Sequence, residues 1–126
     1  MALTREYRET VVERLRKDQR FTAALFAEAL TALTEGDKAT TLSIFRDLVH
    51  AHISFKRLAE ETGFDEKALH RMLSERGNPT MENLGCLIQR IERDLGLSTN
   101  IEAQRVKRAG PGARTRPAHH PALAYA

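Results

Sequence analysis

Lys67, His70, Arg71 and Ser74 recur at intervals of three and four within the run Glu66 to Ser74. On a helix those intervals place them along one side. Cationic and hydrogen-bonding side chains arranged in this way can reach guanine O6 and N7 in a major groove, or a phosphate oxygen. Lys56, Arg57, Arg76 and Asn78 flank the run and carry groups suited to phosphate, which positions a protein without reading sequence. The first set is expected to contact bases and the second to contact the backbone. Either role requires that this helix be held clear of the body that anchors it.

The stretch Phe55 to Ser74 carries the pattern of such a holder. Two short helices that meet at a steep angle need a small residue where they touch, and Ala59 stands at that position. The turn between them needs a backbone with φ above zero, where glycine has no Cβ to clash, and Gly63 stands there. Leu58, Phe64, Leu69 and Met72 supply the apolar filling of the angle. Thr62 is a mild departure, since an apolar residue is usual there. This is the pattern of a helix-turn-helix. A glycine corner between two helices also serves helical domains that touch no nucleic acid. Burial of Leu69, Met72 and Leu73 turns Glu66, Lys67, His70, Arg71 and Ser74 outward. Gly77-Asn78-Pro79 then stops the second helix. Gly77 and Asn78 tolerate left-handed backbone, and Pro79 keeps Asn78 out of helical geometry.

The remaining elements also read as helices, and nothing alternates with the period of two that a strand requires. Thr4 caps a first helix that runs to about Lys17, with Tyr7, Val11 and Leu15 on one side. A second covers about Phe21 to Thr34 and carries Phe21, Ala24, Leu25, Ala29, Ala32 and Leu33, with Phe26 and Leu30 round the side, so more than one face is expected to be covered. Gly36 ends it and Asp37 caps a third, about Lys38 to His50. Ser54, Asp65 and Thr80 cap three more, the last with the stripe Met81, Leu84, Ile88, Ile91 and Leu95. Leu87 flanks that stripe and is a candidate dimer contact, as is the first helix, and Cys86 lies opposite the stripe. The expectation is an all-α bundle of about six helices. Residues 1–37 form a helical extension, 38–98 the helix-turn-helix domain, and 99–126 a disordered basic tail.

Charge separates the tail from the body. Five of the 20 basic residues follow Glu102, the last acid, so residues 1–102 hold 15 basic and 17 acidic groups. Residues 53–80 hold five of each. Such a surface attracts phosphate weakly, which points to modest affinity per protomer and to binding as a homodimer. Asp65 and Glu66 suit a helix N-terminus but repel phosphate.

The motif residues resemble the lambda-repressor-like (XRE-type) helix-turn-helix proteins in Leu58-Ala59, Gly63-Phe64 and Ala68-Leu69. More narrowly, the chain is similar to the addiction-module antidote proteins, the HigA-like antitoxins of bacterial toxin–antitoxin pairs. That likeness lies in Ile44-Phe45-Arg46-Asp47-Leu48-Val49, Leu73-Ser74 and Gly77-Asn78-Pro79-Thr80, and spans about residues 3–97. The resemblance implies a transcriptional regulator that binds double-stranded operator DNA, neutralises a RelE-type toxin and represses its own operon. Phe55 stands where many relatives place a polar phosphate-contacting residue, and the loop Ser74-Glu75-Arg76-Gly77 is slightly longer than theirs. The tail from Thr99 has no counterpart in the family.

Other chemistry finds little support. His50 and His52 are two apart, on different sides of a helix, whereas helical metal pairs prefer three or four. No metal or other cofactor is expected. There is no phosphate-binding glycine loop, nucleophile elbow or base–nucleophile pair, so an enzyme is not expected. Cys86 is the single cysteine, which excludes an internal disulfide and fits a reducing compartment. No apolar run suits a membrane span and no signal peptide opens the chain, so a cytoplasmic protein is expected. The competing reading is a protein-interaction module whose helix-turn-helix is only a scaffold.

Overall fold

The computed structural model describes residues 5–106. Six helices follow in order: α1 Arg5–Lys17, α2 Gln19–Thr34, α3 Lys38–His52, α4 Phe55–Thr62, α5 Glu66–Met72 and α6 Met81–Leu95. The chain is all-α, and the described residues hold no strand. The Thr4 cap and the tail beyond residue 106 lie outside the described residues. Residues 97–106 have no regular secondary structure, and Thr99 donates to the Glu92 carboxylate.

α3 is the central element. It packs against α1, α2, α4 and α6, and so buries residues on most of its circumference: Leu42, Ile44, Phe45, Asp47, Leu48 and Val49. One apolar cluster runs from Leu15 of α1 through Phe26 and Ala29 of α2 and the α3 residues to Leu58, Leu69, Leu73, Leu87 and Ile91. It crosses residue 37 without a break.

The joints are built from local hydrogen bonds. Asp18 accepts from Phe21 N at 3.0 Å, so the chain restarts as helix at Gln19 directly after α1. Asp37 caps α3 through Thr40 N at 3.1 Å, and Thr80 caps α6 through Asn83 N at 3.1 Å. Thr22 is buried, and its hydroxyl donates to Leu15 O at 2.9 Å and meets His52 Nε2 at 3.0 Å, tying α1, α2 and α3 together. Ser54 caps α4 through Arg57 N at 3.1 Å, but at φ 110°. That backbone is strained for a residue with a Cβ, and it sets the bend between α3 and α4.

Several expectations are corrected. Ala24 is exposed, whereas Phe26 is buried as a second covered face of α2 requires, because α3 lies against that side; the rings of Phe26 and Phe45 are 6.0 Å apart. Met81 is 90% exposed at the start of α6, and Leu87 is fully buried, so the inward face of α6 is turned toward Leu87 and Ile91. Leu87 is therefore no dimer contact. Tyr7 is 55% exposed. Asp65 makes no side-chain capping bond to α5. Gly77 and Asn78 do not adopt left-handed backbone. Gly77 is required for another reason: a Cβ there would lie 2.1 Å from Met72 O.

Candidate nucleic-acid interface

α4 and α5 meet at Gly63, which has φ 81° and donates from its N–H to Ala59 O at 2.8 Å. No atom crowds a Cβ at this position, so backbone conformation alone selects glycine. Thr62 uses its hydroxyl twice, donating to Leu58 O at 2.7 Å and accepting from Phe64 N at 3.3 Å. A polar residue thereby closes the turn where an apolar one was expected. Leu58, Leu69 and Leu73 are fully buried, and Ala59, Phe64 and Met72 pack against them.

α5 rests mainly on α4. Glu66, Lys67, His70 and Arg71 are exposed, and Ser74 is half-buried, its hydroxyl donating to Arg71 O at 2.8 Å. Arg71, Arg76 and Asn78 come together with Met72 and Gly77 around a small cleft of about 240 Å³. Lys56 is exposed at the start of α4.

Two of the expected contact residues are less free than their positions suggest. Arg57 Nε pairs with Glu61 at 3.2 Å, one turn along α4. The His70 ring lies flat on Phe55, with centroids 3.9 Å apart and planes 7° apart, and its Nε2 is 3.8 Å from Glu66. Phe55 is buried and also meets His50, at 4.8 Å between centroids. The aromatic ring therefore holds His70 and ties α5 to the end of α3. Burial pushes the His50 imidazole below its ordinary value, and the neighbouring His70 acts in the same direction.

Behind α5 lies a set of contacts that no local sequence signal announces. Arg46 Nη1 donates to Leu73 O at 3.1 Å, satisfying a carbonyl at the C-terminal end of α5. Arg8 of α1 pairs with Asp47 and donates to Ser43 Oγ at 3.2 Å. Burial raises the Asp47 carboxyl, although Arg8, Arg46 and His50 all favour its charge. α1 and α3 leave an open cleft of about 810 Å³ between them, and Arg8, Arg46, Asp47 and His50 line it.

α4 is anchored on its other side by α6. Glu61 and Asp94 face each other, each with a buried carboxyl oxygen. Burial and the adjacent Glu61 raise the Asp94 carboxyl, while the hydrogen bond from Asp94 holds Glu61 below the ordinary range, helped by Arg57. One proton shared between two carboxyls is the arrangement these opposite shifts describe. Cys86 is half-buried on α6.

Compared with known proteins, the chain matches no family model, no curated protein and no solved structure.

Proposed function

We propose that the chain is a sequence-specific DNA-binding transcriptional regulator, acting as the antitoxin of a type II toxin–antitoxin module in the cytoplasm. It neutralises a RelE-type toxin and represses its own operon as a homodimer. The observation that carries the DNA-binding part is the outward side of α5, where Lys67 and Arg71 stand exposed one turn apart on a corner fixed by Gly63. The antitoxin part rests on the resemblance of Gly77-Asn78-Pro79-Thr80 and the preceding motif to the antidote proteins. Lys67, His70, Arg71 and Ser74 are assigned to base edges. Lys56, Arg57, Arg76 and Asn78 are assigned to phosphates. Two protomers would address half-sites about 34 Å apart.

The decisive measurement is a mobility-shift titration on the DNA upstream of the coding sequence. Arg71→Ala is expected to lose roughly 1–3 kcal/mol of specific binding. Binding by Arg71→Ala and Lys67→Ala as tight as that of the unaltered protein would exclude this face as the reader.

A second reading is favoured by one specific observation. Residues 53–80 are electrically balanced, and Arg57 is already paired with Glu61. A helix-turn-helix used only as a scaffold for a protein partner fits that balance. Salt separates the two readings, because groove binding through several cations weakens steeply as salt rises. A complex with DNA that ignores salt, or no complex at all, supports the scaffold.

A further inference from the structure

We infer that the cleft between α1 and α3 is a phosphate-backbone clamp, through which the N-terminal helix extends the DNA contact beyond the reading helix. The inference rests on the DNA-binding reading above and adds a second contact surface to it.

Four arginines of two helices converge on this cleft: Arg5, Arg8 and Arg16 from α1 and Arg46 from α3. Three acids line it as well, Glu9, Glu13 and Asp47. Asp47 is matched by Arg8, and Glu13 is matched by Lys17 at 3.0 Å with the charge of Arg16 also acting on it. Among the described residues neither Arg5 nor Arg16 is in an ion pair. Arg16 makes one long bond from Nε to Ala51 O, at 3.4 Å. Glu9 is the remaining counter-charge, so the cleft keeps an excess of guanidinium groups. Burial, and then the charge of Arg8, push the Arg46 guanidinium below its ordinary value. Cations crowded in this way are relieved by an anion. Guanidinium groups present the planar fork that suits phosphate oxygens.

Position argues for a duplex as the source of those phosphates. Arg46 lines the cleft and also holds Leu73 O at the end of α5. His50 lines it and meets the Phe55 ring on which His70 of α5 is stacked. Two residues that line the cleft are therefore also tied, directly or through Phe55, to the reading helix. The helix-turn-helix itself is electrically balanced, so added cations next to it change the attraction for a polyanion out of proportion to their number. At about 810 Å³ the cleft has room for a stretch of sugar-phosphate backbone.

The test uses the full chain with Arg5→Gln and Arg16→Gln combined, beside Arg71→Ala. Each protein is titrated at several salt concentrations against the duplex upstream of its coding sequence and against a random duplex of equal length. Arg8 and Arg46 are left intact because they hold Asp47 and Leu73. The combined variant is expected to bind both duplexes roughly 2- to 30-fold more weakly, the range for two exposed charge pairs. Its salt dependence should flatten by about two in log–log slope. Arg71→Ala should instead lose the preference for the upstream duplex. If the combined variant binds like the unaltered protein with the same slope, while Arg71→Ala is weakened, the clamp is overturned and the cleft is left to an acidic protein segment. If the unaltered protein binds neither duplex, the DNA reading falls and the clamp falls with it. Arg5→Gln alone, at the exposed end of α1, decides the matter if the combined variant has a lowered thermal midpoint.

Discussion

Glycine does two different jobs in this chain, and substitution separates them. At Gly63 the backbone has φ 81° and open space around a Cβ. An alanine there carries the left-handed penalty alone, about 1–2 kcal/mol. At Gly77 the φ is ordinary, but a Cβ would meet Met72 O at 2.1 Å, with Met72 C and Arg71 O also closer than 3.0 Å. The obstacle is backbone, which cannot swing aside. Gly77→Ala must push the loop 74–80 off the end of α5, at about 1–3 kcal/mol or more. Chemical denaturation should rank Gly77→Ala at least as damaging as Gly63→Ala. Gly77→Ala should also disturb the cleft shared by Arg71, Arg76 and Asn78, while Gly63→Ala changes the angle of the whole helix. The sequence marks both glycines as structural, and at Gly77 it offers no more than a tolerance of left-handed backbone. The close approach that matters there is between the loop and the last turn of α5, and no spacing of residue types encodes it.

Between elements, the α4–α6 contact carries a pH signature. Asp94 has a raised carboxyl in the folded chain, so its contribution is present at low pH and is lost as pH rises through the folded value. Glu61 has a lowered one, so its contribution is present above its ordinary value and is lost on acidification. Above the raised Asp94 value both carboxyls are charged and face each other. Asp94→Asn replaces that repulsion with an amide that donates to Glu61. Its thermal midpoint should exceed that of the unaltered protein at pH 7, and the advantage should shrink as pH approaches 4. An advantage that is independent of pH would mean that the two carboxyls do not share a proton.

At this same scale the sequence reveals much and conceals some. The limits of α4 and α6 follow from caps and stops that act locally: Ser54, Gly63, Thr80 and the apolar spacing. Which side of α2 or α6 faces inward is set by where α3 lies, so Ala24 and Leu87 depart from the spacing while Phe26 fills the second covered face of α2. Arg8 and Asp47 are 39 residues apart, and Arg46 and Leu73 are 27 apart. Neither pair leaves a periodic trace. Arg5, Arg8 and Arg16 do share a side of α1 by spacing, a signal that becomes meaningful only once α3 is seen opposite it. For the candidate site, the outward residues of α5 were legible because Leu69 and Leu73 dictate the inward ones. The stacking of His70 on Phe55 was not.

For the whole molecule, the shared core makes the N-terminal helices part of the folding unit. Leu15 is fully buried, and Phe26 and Ala29 sit in the same cluster as Leu58 and Leu69. Leu15→Ala should cost about 2–5 kcal/mol, a large share of the stability of a chain this size. A fragment of residues 38–98 keeps every residue of the helix-turn-helix but strips α3 of the cover over Phe45 and the partner of Thr41, whose hydroxyl donates to Ala29 O at 2.9 Å. Calorimetry on that fragment should show no cooperative transition comparable to that of the full chain. A sharp one would mean that the two N-terminal helices are an accessory.

The flat contact between His70 and Phe55 also supplies a built-in optical-free reporter. Aromatic ring currents shield protons held above the ring face, so the imidazole carbon-bound protons of His70 should resonate well upfield of those of a solvated histidine. A molecule that occupies the outward side of α5 and lifts the imidazole from its platform would return them downfield. Proton spectra of the unlabelled chain can therefore follow occupancy of that surface, whatever the occupant.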